Sequence, residues 1–448
     1  MAPSRIGTGA PAMTLTPDTL FARDTLWQSW LDVEAALARA QADLGIIPDW
    51  AAEAITDAAR LDTLGREALA SDIKITMAPI LSLTRLLGKA SGKAGDYVHW
   101  GATTQNVMQT GRILLMRQAD RAIRENLARA TLRLGQLAAE GAETVMAGRT
   151  NRQHALPITF GFKIAGWIEE MDRSEARLSD AAGRLFALPF GGAVGAMHAF
   201  GGQGRALNRK LAADLSLREL LVPGRSVNDL FAEYVLQLAL LAMSIERIMS
   251  ECYTLMSEEI GELAEMLDHG TVGSSTMPQK VNPKFVVRTI AQAMELRGLA
   301  GPALETGRSS HEGDAVANHL LSSVLDAAIP LAWRLSEGFA DSLRRLSPRP
   351  DRMARNLAQS GGAITSESLM MALAPHAGRA QAHDIVHHAL EAGGPAALPD
   401  DPAITAHLSA AEIAAALDPA GYLGDSVSIA QAAADLATVV ADRFNVAG

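Results

Sequence analysis

A single cysteine, Cys252, in 448 residues excludes an internal disulfide and any cysteine-based zinc cluster, and it fits a reducing compartment. Aromatic residues are scarce at 4%. Alanine and leucine take their place, which favours helix over sheet. No run of about 18 apolar residues occurs, so no membrane span is expected. The opening stretch, MAPSRIGTGAPAM, lacks the apolar core of a secretion signal. Basic residues are in deficit, 40 Lys and Arg against 50 Asp and Glu for a formal charge of −10. That balance argues against a nucleic-acid partner, because phosphate binding relies on clustered cations. The composition predicts a globular cytoplasmic protein.

Hydrophobic residues make up 48% of the chain, enough for a sizeable core, and 448 residues suffice for two to four domains. Arg225 to Ile260 contains neither Gly nor Pro, and its apolar residues recur at three- and four-residue steps. This predicts a helix of about ten turns, the kind found in bundles and oligomeric cores. Arg112 to Leu134 and Phe162 to Leu188 read as two further long helices. Strand-like alternation is scarce, and no repeat of 20–50 residues is visible. The expected fold class is all-α, in three helical domains: residues 1–110, a central long-helix bundle over 111–350, and a small C-terminal domain over 351–448. Residues 1–17 read as loose, Gly95 to Gly111 as a polar interruption, Leu346 to Asp351 as a linker, and Gly393 to Pro402 as a loop.

Three polar islands break the helical pattern: His99-Trp-Gly-Ala-Thr-Thr-Gln-Asn106, Gly148-Arg-Thr-Asn-Arg-Gln-His-Ala-Leu-Pro157 and Gly273-Ser-Ser-Thr-Met-Pro-Gln-Lys-Val-Asn-Pro283. A helical stretch follows each, so each could offer N–H groups and a positive dipole end to an anion. Asn282 before Pro283 reads as an N-cap followed by the residue preferred at the first helical position. The plain alternative is three capped loops. His383 and His387 have a helical metal-binding spacing, but no third ligand accompanies them, and no metal site is expected. Gly191 to Gly204 lacks GxGxxG and a Walker lysine, so no nucleotide cofactor is expected either. Cys252 falls on the apolar face of its helix, where it should pack inertly.

The third island resembles the GSSxMPxKxNP loop of the fumarase/aspartase superfamily, a match at many fixed positions over eleven residues. The first island is similar to that family's histidine–Thr/Ser loop, and the second to its Gly-Arg-Thr…Gln…Ala loop. Within the superfamily the likeness is strongest to the bacterial 3-carboxy-cis,cis-muconate cycloisomerases, through His99-Trp-Gly-Ala-Thr103, Gln153-His-Ala-Leu-Pro157 and Leu417-Asp-Pro-Ala-Gly-Tyr-Leu-Gly424. The resemblance implies a homotetramer whose long helices form a many-helix core, with the three islands of each site supplied by three subunits. It also implies a cofactor-independent enzyme that removes a proton next to a carboxylate of a small di- or tricarboxylate. Ser274 matches the family's general base. Lys280 and Asn282 would hold the adjacent carboxylate, and Thr103 and Thr104 a second one. His99, Thr150, Asn151, Gln153, Ser275 and Met277 complete the substrate-binding set, and His154 is the candidate acid or else a structural histidine.

Departures from the family pattern narrow the reading. Asn151 stands where many members carry a His that the muconate enzymes also lack, and Asn106 replaces a usual Asp. Near residue 311 the muconate enzymes carry a Trp…Glu-Trp pattern, whereas this chain reads His311-Glu-Gly-Asp-Ala-Val-Ala-Asn-His319. The leading expectation is a lyase or cycloisomerase of the 3-carboxy-cis,cis-muconate type. Alternatives are an epimerase of an aminodicarboxylate such as iminodisuccinate, another fumarate-releasing lyase, or an inactive helical scaffold.

Overall fold

Five helices open the structure: α1 (Arg23–Asp43), α2 (Asp49–Ala58), α3 (Leu61–Leu64), α4 (Arg66–Thr76) and α5 (Pro79–Ala90). Trp27, Trp30, Leu31, Ile55, Leu69, Leu83 and Leu87 close them around a core of their own. Pro79 sits in the first turn of α5, where its missing N–H leaves no bond unmade. The computed structural model describes residues 15–277 and 279–446. Most of the N-terminal segment expected to be loose, and Pro278 of the third island, lie outside the described residues.

The central body is built from α6 (Thr104–Glu140), α7 (Phe160–Leu185), α8 (Gly204–Asp214), α9 (Asp229–Leu255), α10 (Phe285–Gly298), α11 (Ala300–Glu305) and α12 (Ala315–Arg344). Along α6, Ile113, Met116, Ile123, Leu127, Leu134 and Leu137 return at helical spacing and all enter the main core. Polar contacts fix the helix directions. Tyr234 Oη donates to Asp120 Oδ1 at 2.6 Å, Arg112 pairs with Asp326, and Asn126 Nδ2 donates to Ser336 Oγ at 2.9 Å. Helices α6, α9 and α12 therefore run the same way. Helix α7 runs against α9, with Arg184–Glu233 at one end and Lys163–Glu251 at the other. Arg124 is buried in this bundle, donating to Asp120 Oδ2 at 2.7 Å and to Ser179 Oγ at 2.9 Å. It neutralises a carboxylate that would otherwise stand uncompensated in the interior.

Helix α12 is long and apolar enough to cross a membrane, with a mean hydropathy of 1.3 over its best window. It lies instead between α6 and α10, and Leu321, Leu325, Ile329, Leu335 and Phe339 are buried in the main core. Two short antiparallel pairings complete the body. Strands β1 (Val145–Thr150) and β2 (Gln153–Thr159) form a hairpin, and β3 (Leu263–Glu265) pairs with β4 (Leu346–Pro348).

After α13 (Pro350–Ala358) come α14 (Ser366–Ala377), α15 (Arg379–Gly393), α16 (Pro402–Thr405) and α17 (Ala410–Leu417). Leu369, Leu373, Val386, Leu398, Ile404 and Ile413 give these a third core. The last helix, α18 (Ser426–Val446), returns to the bundle, where Ala437, Val440 and Phe444 join the main core. A Cβ on Gly135 of α6 would stand 2.8 Å from the Ala437 Cβ, so the small residue lets the two helices approach.

The fold is all-α, and five sequence expectations change in detail. The polar interruption expected over Gly95 to Gly111 ends early, because α6 begins at Thr104 and runs through Gly111. The helix expected over Arg225 to Ile260 is 27 residues long, about 7.5 turns. Its first residues are diverted: Arg225 bonds to Gln105 and to the Ala193 carbonyl, and the buried Asn228 donates to the Thr306 carbonyl at 3.2 Å. At the other end Gly261, at φ +63°, turns the chain out of the helical course. The second island lies in the β1–β2 hairpin, so it offers no helix N-terminus. Asn282 does not cap a helix, because α10 begins three residues later and Asn282 bonds back to Gly273. The presumed linker Leu346 to Asp351 is ordered structure, comprising β4 and the start of α13.

Candidate active site

The first island turns the chain into α6. His99 adopts φ +60° and meets Glu34 of α1, Nδ1 to Oε1 at 2.6 Å. Gly101, at φ +71°, passes so close to Phe200 that a Cβ there would stand 2.4 Å from the ring. Thr103 precedes α6 without using its hydroxyl as a cap, and Thr104, its first residue, is exposed. Asn106 is fully buried: its Nδ2 donates to the Pro189 carbonyl at 2.9 Å, and its Oδ1 accepts from the Gly192 N–H at 2.9 Å. An ionised Asp could make only the second bond, which explains the amide at this position.

The second island is the tip and return strand of the β1–β2 hairpin. Asn151 and Arg152, at φ +50° and +65°, form the two-residue turn between the paired Thr150 and Gln153. Positive φ at both positions is the conformation that matches strand twist, and Asn tolerates it better than most residues. Thr150, Asn151 and Gln153 are all exposed. His154 is half-buried, and its Nδ1 lies 2.7 Å from the Ser360 Oγ. Burial, and behind it the Arg149 charge, hold its imidazole below the ordinary histidine value, with Glu262 pulling the other way. The ring is therefore neutral at pH 7 and can offer one N–H. Thr150 and Arg149 also border a groove of about 790 Å³ whose walls include Leu156, Phe162, Ile429 and Leu436.

The third island is a loop closed at its own neck. Asn282 donates from its backbone and from Nδ2 to the Gly273 carbonyl, at 3.5 and 3.3 Å. Gly273 is needed there, since a Cβ would stand 2.8 Å from the Lys280 carbonyl oxygen. Ser274 is half-buried and its Oγ accepts from the Met277 N–H at 3.2 Å. Ser275, Met277 and Lys280 are exposed on the same loop. Among the described residues Lys280 forms no salt bridge, so its ammonium remains available to an anion.

Within one chain these islands do not converge. The first opens α6 and the second follows its far end, and the 37 residues of that helix span about 55 Å. The second and third lie at the same end, linked through β3: Glu262 pairs with Arg149, and Glu265 receives the chain where the loop returns. Sequence reasoning missed Glu34, Glu262, Glu265 and Ser360. Glu262 and Glu265 left one signal, a pair of acids three residues apart before the third island, where β3 is too short to show alternation, and Glu34 and Ser360 left none.

The structure is thus an all-α bundle with three separated polar islands, one of them a glycine–serine loop carrying lysine and asparagine. The sequence matches the family described as Lyase over residues 10–298, and Adenylosuccinate lyase C-terminus over residues 362–433. The 3-carboxy-cis,cis-muconate cycloisomerase of Bradyrhizobium diazoefficiens is 34% identical over 418 residues, 90% of this chain and 92% of that protein. The N-acetyl-S-(2-succino)cysteine lyase of Dickeya dadantii is 32% identical over 413 residues, 88% of each. Among solved structures, a fumarate lyase from Mesorhizobium sp. BNC1 superposes with a TM-score of 0.87 at 34% identity, covering 95% of this chain and all of that one. The chain belongs to the lyase family of the fumarase/aspartase superfamily, and it is an enzyme.

Proposed function

We propose that the protein is a cofactor-independent lyase or cycloisomerase of the 3-carboxy-cis,cis-muconate type, acting on a small di- or tricarboxylate as a cytoplasmic homotetramer. The observation that carries the reading is the loop geometry, with Ser274 Oγ already accepting one N–H and a free ammonium and an amide on the same loop. A serine hydroxyl is far too weak an acid to ionise unaided at pH 7. Its alkoxide needs preorganised donors, each worth about 3–4 kcal/mol. The Met277 N–H is one, and Lys280 can supply a second when substrate closes the loop.

In this reading Ser274 takes the proton from the carbon beside a carboxylate. Negative charge then moves onto that carboxylate, where Lys280 and Asn282 hold it. Thr103 and Thr104 of another subunit bind the second carboxylate, and His99, Thr150, Asn151, Gln153, Ser275 and Met277 line the remaining surface. His154 is the acid, its protonated form handing a proton to the departing group; in the cyclising direction the steps reverse, and the Ser274 hydroxyl gives its proton to the carbon as the substrate's carboxylate oxygen adds. No step calls for a metal or nucleotide. The separation of the islands along α6 supports sites shared between subunits. Leu240, Met243, Val287, Met294 and Leu304 support it too, as exposed apolar residues on neighbouring helices of the central body.

A second reading, release of fumarate from a 2-substituted succinate, is favoured by His311. It is exposed, at φ +51°, in the segment where the muconate enzymes carry aromatics. Proton NMR in D₂O distinguishes the two readings, with 3-carboxy-cis,cis-muconate, N-acetyl-S-(2-succino)cysteine, adenylosuccinate and iminodisuccinate stereoisomers as the panel. Lactone formation identifies the cycloisomerase, and fumarate identifies the lyase. Deuterium uptake with inversion and no fumarate means an epimerase, while no exchange on any member counts against the proposal.

A further inference from the structure

Helix α10 starts without a cap from its own flank, since Lys284 at the N-cap position contributes no side-chain bond. The acceptor comes from across the loop. Glu265, the last residue of β3 and only 7% exposed, accepts from the N–H groups of Lys284 at 2.5 Å, Phe285 at 3.0 Å and Val286 at 2.9 Å. Arg345, also buried, lies over the same base. It donates to the Met266 carbonyl at 3.3 Å and to Asp268 Oδ2 at 2.6 Å, and its guanidinium stands 3.9 Å from the centre of the Phe285 ring. The outgoing limb of the serine loop, Met266 and Asp268, and its returning limb, Lys284 to Val286, are thus held by two side chains.

The backbone adds one bond at the neck, from the Met266 N–H to the Arg345 carbonyl at 2.8 Å, and among the described residues no other hydrogen bond ties the loop to the bundle. Among the described residues, every hydrogen bond made by residues 269–283 stays within residues 268–282. The loop is internally closed, and its placement is decided at the neck.

Resting on the reading of Ser274 as proton acceptor, we infer that Glu265 and Arg345 are positioning residues that set where the serine loop stands over the substrate. Glu265 suits the task because one carboxylate can accept from three amides at a helix N-terminus, where negative charge is favoured. A glutamine has one acceptor oxygen and would turn its own N–H₂ toward the remaining amides. An aspartate is one methylene short of the returning limb. A reacting group displaced by about 1 Å loses on the order of 10²-fold in rate, so slack at the neck registers in the chemical step.

The test uses full-length assembled enzyme carrying Glu265→Gln, with Arg345→Lys as a second variant should the first fail to fold. Amide hydrogen exchange is read without substrate, and turnover is assayed with 3-carboxy-cis,cis-muconate and N-acetyl-S-(2-succino)cysteine. Expected are faster exchange over residues 266–286, unchanged exchange over the 145–159 hairpin, and kcat lowered by about 10²-fold with KM held within about twofold. Unchanged loop exchange, or faster exchange with wild-type kcat, overturns the inference. Ser274→Ala is run alongside: if it keeps full activity the serine reading falls and this inference with it. A slow Ser274→Ala beside an unimpaired Glu265→Gln removes only the positioning role.

Discussion

Arg149 and Glu262 meet in a two-pronged ion pair, Nη2 to Oε1 at 2.6 Å and Nη1 to Oε2 at 2.9 Å, with the carboxylate side chain wholly buried. Asn356 Nδ2 adds a third donor at 2.8 Å. The pair fastens the hairpin of the second island to the strand that leads into the third. Removing the cation leaves a buried charge without its partner, which typically costs about 3–5 kcal/mol. Arg149→Met should therefore lower the denaturation midpoint sharply, and Arg149→Met/Glu262→Gln should recover part of the loss. If the single and double variants melt alike, the pair carries no coupling.

Ser274→Ala should reduce turnover by about three orders of magnitude or more, as expected when an activated nucleophile or base is removed. Melting temperature and particle size should not change, because among the described residues the serine's one hydrogen bond lies within the exposed loop. A rate within a few-fold of wild type would assign proton abstraction to another group.

The His154 imidazole is held below its ordinary value of 6.5, first by burial and then by the Arg149 charge. The neutral ring therefore dominates at and above pH 6.5 and is lost only on further acidification. Since the folded state gives up its proton more readily than the unfolded chain, this histidine's contribution to stability is complete above pH 6.5. It declines as pH falls through the folded value. As an acid acts from its protonated form, kcat/KM should fall as pH rises through the folded value, below pH 6.5, and His154→Gln should remove that inflection while lowering kcat. An identical inflection in His154→Gln would point to a different titrating group.

Cys252 is fully enclosed on α9, and burial pushes its thiol far above the usual cysteine range. A thiol reagent at pH 8 should label no cysteine in the folded enzyme and one per chain in denaturant. Rapid labelling of the folded protein would mean that α9 opens.

If each site draws its islands from different chains, two inactive variants should rescue one another. Mixed assemblies of Ser274→Ala with Thr103→Val/Thr104→Val should regain part of the activity after joint refolding, since some sites receive three intact islands. Mixtures as inactive as their parents would count against the serine and threonine islands of a site coming from different chains.

Much of the bundle was legible from periodicity alone, because α6 and α7 carry long apolar stripes that no other structure could bury. The ends of α9 were not legible. Arg225 and Asn228 suit a helix locally, but Gln105, Ala193 and Thr306, remote in sequence, draw them out of it. The hairpin at the second island escaped because its turn is Asn-Arg rather than a glycine pair. Asn282 misled because an N-cap side chain and a loop-closing amide look the same in sequence. The motif placed Ser274, Lys280 and Asn282 on one loop, as found. The acids that brace the islands, Glu34, Glu262 and Glu265, act over long sequence separations, which local reading does not see.

Helix α6 also works as a ruler. One island stands at its start and another beyond its end, so its 37 residues fix how far apart neighbouring sites of the proposed assembly must be. Many exposed substitutions along it should be tolerated, but a change of length should not. Inserting one residue turns everything beyond it by about 100° and shifts it by about 1.5 Å. Inserting seven nearly restores the facing but moves the islands about 10 Å further apart. The helix carries little chemistry of its own, yet in the proposed assembly its residue count would be as much a condition of activity as the identity of the serine.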